Sequence, residues 1–290
     1  MKNTALFLFL FCAVSIHSLP ADAQVSVGIS IRIAPPPLPV YSQPPCPIDG
    51  YLWTPGYWAY GDAGYYWVPG VWVMPPRIGY LWTPAYWGYS GGYYGWHPGY
   101  WGEHIGFYGG INYGYGYGGI GYAGGIWQGG YFHYNSAVSN INTTVVRNVY
   151  VNRTVINNTT VNNRTSFNGP GGITATPRPE EQAAMQEQHI QATRDQQNHE
   201  QTAGRDRNQL ASVNRGQPAT TAMNRIGGNR FNQQGRPANT APATRPAAPR
   251  PNNAQAQGRH LQQQHAQQPR QQEHVQPHPA PHPAKPEHHR

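Results

Sequence analysis

Four copies of one aromatic unit, Y-x-W-x-P-G-x-W, fill residues 48–101 and constrain this chain more than any other feature. The unit recurs after 14, 15 and 14 residues, and it holds eight of the nine tryptophans. These are Trp53, Trp58, Trp67, Trp72, Trp82, Trp87, Trp96 and Trp101. Self-similarity at a regular spacing is the signature of a repeat architecture. The pattern therefore predicts a structure directly, whereas nothing in it indicates a reaction.

Each unit places Pro-Gly midway between two tryptophans, and this dipeptide favours a turn. Proline supplies the φ of the second turn position, and glycine accepts the positive φ of the third position of a type II turn. A two-residue loop at the first Pro-Gly would set Trp53 opposite Trp58 and Tyr51 opposite Tyr60. Directly opposed aromatic side chains contribute up to about 1 kcal/mol each. The repeats therefore predict four short aromatic hairpins.

Two observations leave the form of the turn open. A type II turn twists against its flanking strands, so a four- or five-residue loop around a type I turn is an alternative. Ala85 stands at the glycine position of the third copy, where a positive φ would be strained. The links at 61–64 and 90–92 also carry turn-forming residues, which predicts a β-meander of about eight strands in a mainly β fold.

The repeat tryptophans have two interpretations. In the first, they pack against each other and hold together a ribbon with almost no aliphatic core. In the second, exposed rings stack on sugar or cell-wall polymer, because Trp and Tyr suit half-wet surfaces. The same eight residues are therefore both the predicted core and the candidate binding residues.

Residues 1–23 have the pattern of an export signal. Lys2 supplies a positive start, residues 5–16 are apolar, and Ala21-Asp22-Ala23 fits a small-x-small cleavage site. The apolar run is too short to span a bilayer, and no later segment is apolar enough to do so. We expect an exported mature chain that starts at Gln24 and has no transmembrane segment.

One cysteine, Cys46, remains after this cleavage. A single thiol forms no internal disulfide. Cys46 is therefore either a crosslink between chains or a buried side chain.

Composition divides the mature chain into five segments. Residues 24–47 join an alternating strand pattern to an arm with seven prolines, and the repeats at 48–101 follow. Residues 102–134 are rich in Gly and Tyr, which suits further sheet or a flexible adhesive segment. Residues 135–168 are rich in Asn, Val and Thr and are β-prone, and 169–290 form a low-complexity tail.

The tail predicts one marginal helix and disorder beyond it. Proline and two glutamates at 179–181 suit a helix start, and the helix would run to about residue 201. Its apolar residues form no stripe, so we expect it to face solvent. From Gly216 onward the chain lacks the large apolar residues needed to offset the entropy of ordering, which predicts disorder.

The sequence holds no constellation typical of catalysis, and we expect no enzyme and no cofactor. No Ser/His/Asp, Cys/His or paired-carboxylate pattern stands out, and no phosphate-binding G-x-x-x-x-G-K is present. The one weak metal candidate is a set of tail histidines, because histidine-rich tracts bind transition metals. It comprises His274, His278, His282, His288 and His289, for which compositional drift is the alternative explanation.

Positive charge is concentrated in the second half of the chain. Residues 24–140 carry a net charge of −1, and residues 141–290 carry +9. The arginines are scattered singly in an exported chain, so we do not expect nucleic acid as a partner. An anionic envelope polymer or glycan is one candidate partner class. Self-association through the Gly/Tyr and Asn/Val/Thr segments is another.

The sequence Trp53-Thr54-Pro55-Gly56-Tyr57-Trp58 and its copies resemble the bacterial YXWGXW-repeat proteins, whose motif is W-x-x-G-x-W. The order of segments after the repeats, including 106–110 and 211–218, is also similar to longer members. Ala85 departs from the motif's glycine. The resemblance implies an exported protein and adds no catalytic residue.

Together these features predict a non-enzymatic, exported structural or interaction protein of the cell envelope. The alternative is a carbohydrate-binding or cell-wall-binding module that uses exposed Trp and Tyr faces. The expected location is the periplasm, the cell surface or the extracellular space.

Overall fold

The computed structural model describes residues 30–154 and 164–238, and it is built mainly from short β-strands. The predicted mainly β fold with short aromatic hairpins is therefore confirmed. The export signal, most of the strand expected before residue 33, and the histidines at 274–289 lie outside the described residues.

The strands up to the end of the repeats are β1 (Ser30–Ile31), β2 (Leu52–Thr54), β3 (Tyr57–Gly61), β4 (Gly64–Val68), β5 (Gly70–Val73), β6 (Leu81–Thr83), β7 (Tyr86–Ser90), β8 (Tyr93–His97) and β9 (Tyr100–Gly102). Those that follow are β10 (Asn112–Gly114), β11 (Tyr117–Gly118), β12 (Gly125–Gln128), β13 (Tyr131–Asn135), β14 (Val149–Tyr150), β15 (Phe167–Asn168), β16 (Ile190–Gln191), β17 (Ala222–Met223) and β18 (Arg230–Phe231). The helices are α1 (Pro179–Ala184), α2 (Arg194–Arg205) and α3 (Ala211–Asn214), with a 3₁₀ turn at Arg207–Gln209.

Two repeats together build one hairpin, so four repeats give two. In the first hairpin, residues 52–73, β2 pairs with β5 and β3 with β4. In the second, residues 81–102, β6 pairs with β9 and β7 with β8. Each hairpin thus carries an outer and an inner pair of facing tryptophans. The facing pairs are Trp53 and Trp72, Trp58 and Trp67, Trp82 and Trp101, and Trp87 and Trp96.

The predicted pairing of Trp53 with Trp58, and of Tyr51 with Tyr60, is wrong. Trp53 and Trp58 lie on the same arm of the first hairpin, and Tyr60 pairs with Tyr65. The eight strands are present, but they are nested in two hairpins instead of following one another as a meander. The physical reason is twist, because an L-Pro-Gly turn would splay the strands that it joins.

The chain reverses at the links between repeats instead. At the first link, Asp62 and Ala63 are followed by Gly64 with a φ of +94°. At the second, Gly91 and Gly92 have φ values of +60° and +88°. Positive φ at these positions belongs to the hairpin turns whose twist matches that of the strands.

At the Pro-Gly dipeptides of the first hairpin, the two arms pass close to each other. Proline has no N–H to donate to the ladder, so pairing is interrupted there. Neither Gly56 nor Gly70 has a positive φ. A Cβ added to Gly70 would lie 2.6 Å from Trp53 Cζ2 and 2.9 Å from the Gly56 nitrogen. Glycine is therefore required for the close passage of an indole ring, and not for a turn.

The indole N–H groups tie separate segments to the hairpins. A buried donor is costly when it lacks an acceptor, and these five find one in another segment or side chain. The bonds run from Trp58 to the Pro37 carbonyl (3.2 Å), from Trp67 to the Thr221 carbonyl (3.1 Å), from Trp72 to the Pro44 carbonyl (2.8 Å), from Trp87 to the Trp58 carbonyl (2.8 Å) and from Trp101 to Gln196 Oε1 (2.8 Å).

The proline-rich arm lies against this core. An extended polyproline segment makes no internal hydrogen bonds, which leaves its carbonyls free to accept from the indoles. Leu38 and Cys46 of the arm are buried, and the Ile33 carbonyl accepts from the Tyr65 hydroxyl at 2.7 Å. The arm is thus part of the folded body.

The Gly/Tyr-rich segment, residues 102–134, is also part of the core. Of the two alternatives for it, further sheet or a flexible adhesive segment, the structure shows sheet. It forms the hairpins β10–β11 and β12–β13. Tyr117 is fully buried, and its hydroxyl donates to the Trp82 carbonyl at 2.8 Å. In the β-prone segment that follows, β14 pairs in parallel with β13, and residues 155–163 lie outside the described residues.

Residues 169–238, assigned from composition to the tail, pack on the repeats. Strand β16 pairs with β9, and β17 pairs in parallel with β5. The disorder predicted from Gly216 onward is therefore wrong up to residue 238, because β17 and β18 fall there. Composition does not predict this packing of the tail on the repeats. The hydrogen-bond acceptors in the tail are backbone carbonyls, such as that of Thr221, and every residue has one.

The single helix predicted at 179–201 is also wrong in form. Two helices, α1 and α2, are separated by β16. The second does not simply face solvent, because Gln196, His199 and Ala203 are buried on one side of it. This stripe is mostly polar, and a search for apolar periodicity therefore passes over it.

We predict that Gly70→Ala destabilises the fold by about 1–3 kcal/mol, because the new methyl overlaps the Trp53 ring and the Gly56 backbone. Gly61→Ala is the matched control, since its Cβ would come no closer than 3.4 Å to a neighbour, Tyr66 Cε1. We expect that control to change stability by about 0.5 kcal/mol or less. Urea unfolding measures both, and equal losses would contradict the assigned role of Gly70.

Candidate functional site

Seven of the eight predicted binding tryptophans are buried, with exposed fractions of 5% or less. Only Trp96 is partly exposed. A flat ring that packs inside the core has no face to offer a ligand. The structure therefore places seven of the eight tryptophans in the core and leaves Trp96 partly at a surface.

The exposure of Trp96 coincides with the one departure from the repeat pattern. In the first hairpin, Gly56 lies directly beneath the Trp67 ring, and an added Cβ would overlap Trp67 Cζ2. Ala85 occupies the corresponding position opposite Trp96 and carries that Cβ. The methyl group fills the space that the indole takes in the first hairpin. We attribute the outward position of Trp96 to this methyl group.

Trp96 borders a small cleft between the two hairpins and α2. The cleft has a volume of about 90 Å³, room for several water molecules but not for a large ligand. Its walls come from the Pro-Gly regions of both hairpins and from α2, and both the first hairpin and α2 contribute polar groups. The Tyr57 and Trp96 rings lie 5.5 Å apart at its edge. The polar side chains along it include Thr54, Tyr57, Gln196, His199 and Glu200.

Glu200 is the one carboxylate among the residues that line this cleft. The Tyr57 hydroxyl donates to its Oε2 at 3.0 Å, and the Tyr66 hydroxyl lies 3.5 Å from its Oε1. Burial raises the pKa of Glu200, and the two hydroxyls oppose part of that rise. Burial and the nearby carboxylate together hold the pKa of Tyr57 well above its ordinary value.

His199 lies next to this carboxylate in the chain and is held by the backbone. Its Nε2 donates to the Pro69 carbonyl at 2.8 Å, and burial lowers its pKa, so the ring is neutral at neutral pH. The Thr54 hydroxyl is likewise engaged, by the Val71 carbonyl. The lining groups are thus arranged as fixed hydrogen-bonding partners, which suits binding or packing better than proton transfer.

Cys46 is buried, with an exposed fraction of 1%. Its thiol donates to the Ile48 carbonyl at 3.2 Å, and burial raises the pKa of Cys46 to about 12. A neutral, enclosed thiol is a poor nucleophile. Of the two alternatives, crosslinking or burial, the folded chain shows burial.

The described residues offer little to a metal ion or a bilayer. In ranges 30–154 and 164–238, no three His, Cys, Asp or Glu side chains are grouped closely enough to hold a metal. In those same ranges, no helix has the length and apolar character needed to cross a membrane.

The fold and the buried indoles define a repeat protein whose units pair into aromatic hairpins. Residues 49–73 match the model of the WXXGXW repeat family, in two copies. The match agrees with the resemblance of the motif, and the matched segment coincides with the first hairpin and the turn before it. No curated protein and no solved structure matches the chain.

Glu200, His199 and Ala85 are the site residues that sequence reasoning did not assign to a site. The first two fall in a helix without an apolar stripe, so nothing in the local pattern places them against the repeats. Ala85 was detectable in the sequence, because it breaks the repeat. Its effect could not be predicted, because it depends on the Trp96 ring on the opposite arm of the hairpin.

We predict that Ala85→Gly lets the Trp96 indole settle over the backbone. The tryptophan emission should shift to shorter wavelength, and quenching by acrylamide should fall, while stability changes by about 1 kcal/mol or less. Ala59→Gly is the matched control, because it makes the same change under α2, away from Trp96. Unchanged quenching in Ala85→Gly would show that the methyl group does not set the position of Trp96.

We predict that Glu200 makes the fold less stable as pH rises. A carboxyl group whose pKa is raised binds its proton more tightly in the folded chain than in the unfolded one. The free energy of unfolding therefore falls between the ordinary pKa of 4.5 and the raised folded value. Glu200→Gln should abolish this fall in thermal melts from pH 4 to 8, and Glu103→Gln, an exposed carboxylate, should preserve it. Identical profiles in all three proteins would refute the assignment.

Proposed function

We propose that this chain is a non-enzymatic, exported structural or interaction protein of the cell envelope. One observation carries the proposal: the repeat tryptophans pack against each other and hold the two hairpins together in a common aromatic core. The recurring tryptophans of the repeat unit then serve the architecture. Surfaces for partners are supplied by residues outside the tryptophan pattern.

The export part of the proposal is supported by the sequence of residues 1–23. Lys2, the apolar run and the Ala21-Asp22-Ala23 site together fit a cleaved signal. The net charge of +9 in residues 141–290 supports attraction to an anionic envelope polymer. Such attraction weakens as salt screens it.

The alternative function is carbohydrate or cell-wall binding. Because the tryptophans are buried, a sugar would contact exposed tyrosine rings instead of indole rings. Tyr93 is the observation in its favour, since 41% of this residue is exposed. Exposed tyrosines combine a flat apolar ring with a hydroxyl, the combination that sugars require.

The test is fractionation of cells that express the full precursor with a C-terminal tag. We expect a mature chain that starts at Gln24, found in the envelope fraction and partly released by 1 M salt. Gly70→Ala should lower the retained amount, and the matched Gly61→Ala should not. Unprocessed protein in the cytoplasm would overturn the export assignment, and equal retention of an unfolded variant would overturn the scaffold.

A further inference from the structure

The two hairpins share one plan, but only the first has its outer face covered. There, Ala59 pairs with Tyr66, and Ala203 of α2 packs on Ala59 and Val68. Glu200 of the same helix accepts from the tyrosine hydroxyls of that face. Helix α2 thus seals the first hairpin.

Among residues 30–154 and 164–238, no helix packs on the corresponding face of the second hairpin. Gly88 pairs with Gly95 at the position that Ala59 and Tyr66 hold in the first hairpin. Within the described part of the chain, β15 and β1 extend the sheet at the edges of β7 and β8, beside the face instead of over it. An open groove of about 340 Å³ remains above the two glycines.

Aromatic rings stand at both ends of this groove. At one end, Tyr86 and His97 pair across the strands, and their rings stack 4.3 Å apart at an angle of 3°. At the other end is Tyr93, whose hydroxyl accepts from Arg32 Nη2 at 2.8 Å. The Arg32 guanidinium also lies 5.1 Å from the centre of the Tyr93 ring, which fixes the ring's position.

Between the rings, the lining is polar. Ser30, Ser90 and Asn168 border the groove. Partial desolvation lowers the pKa of His97, so its imidazole is neutral and offers one donor and one acceptor nitrogen. The groove therefore combines the exposed His97 ring, which covers the buried Tyr86 and lies over Gly88, the Tyr93 ring at the other end, an open floor at Gly95, and several hydroxyl and amide groups.

We propose that this groove, the outer face of β7 and β8, binds a carbohydrate chain. A sugar ring has flat C–H faces for aromatic rings and a rim of hydroxyls for polar groups. A helix like α2 would instead need apolar side chains to pack on, as Ala59 and Val68 provide in the first hairpin. The inference rests on the carbohydrate-binding alternative and names its site.

Arg32 suggests which sugars fit best. It is exposed at the Tyr93 end of the groove, where an acidic sugar would meet a positive charge. An Arg–carboxylate contact is stronger than a neutral hydrogen bond. An acidic glycan should therefore bind more tightly than a neutral one of equal length, and the difference should shrink in high salt.

The test uses the complete mature chain and calorimetric titration with N-acetylglucosamine oligomers and with oligogalacturonate. Gly95→Val adds a side chain to the floor at a position where φ is not positive and an added Cβ comes no closer than 3.8 Å to a neighbour. Valine also favours strands, so folding should be kept. We expect Gly95→Val and Tyr93→Ala each to weaken binding by about tenfold. Tyr131→Ala, an exposed tyrosine on β13, is the matched control and should bind as the unaltered chain does.

Each other outcome overturns the inference in a distinct way. Absence of saturable binding to both glycans refutes the carbohydrate site in the groove. The proposed structural role is tested separately, by the cell fractionation described above. An equal loss in Tyr131→Ala shows that any exposed tyrosine serves. If Gly95→Val instead reduces self-association in sedimentation, the face is a contact between copies. Melting curves of each variant exclude unfolding as the cause of lost binding.

Discussion

The rest of this structure depends on an indole ring passing over a glycine on the opposite arm of its hairpin. The contact is possible only where the side chain is a hydrogen atom, as the positions of Gly56 and Gly70 show. Proline beside each glycine interrupts the ladder, which lets the backbones approach without competing for hydrogen bonds. Because the rings then meet across the strands, at centroid distances of 5.4 Å for Trp53 and Trp72, the two halves of each hairpin are locked by packing as much as by backbone pairing.

A core of indoles differs from an aliphatic core because every ring carries one donor. A buried donor without an acceptor is costly, and five of the repeat indoles donate to a partner, whereas the buried Trp53 Nε1 has none. Here the acceptors lie in segments far away in the sequence, including the proline arm and residue 221. The hairpins therefore recruit chain that has little hydrophobic content of its own. This explains how residues 169–238 join the folded body although their composition resembles that of a disordered tail.

The sequence allowed the strand content and the turn positions at the links to be predicted. It did not allow the partner of each tryptophan to be predicted, because facing Trp53 with Trp58 or with Trp72 satisfies the same pattern of alternation. Only turn geometry distinguishes these two pairings. It favours a chain reversal at Gly64 and at the Gly91-Gly92 link over a reversal at Pro-Gly. The cleft residues of α2 were unpredictable for another reason. His199 contacts a carbonyl 130 residues away, and no local pattern encodes such a contact.

Copies of a repeat bury equivalent faces, so differences between copies decide which surfaces stay open. Ala85 in place of glycine leaves Trp96 partly exposed beside a cleft, whereas its counterpart Trp67 is fully buried. The Gly88–Gly95 pair replaces Ala59 and Tyr66, and it removes the side chains on which a helix packs. The tryptophan pairs of the second hairpin are kept, with ring centroids 5.3 Å apart for Trp82 and Trp101 and 4.9 Å apart for Trp87 and Trp96. The repeat pattern therefore secures the architecture, and the departures from it are the positions free to acquire a ligand.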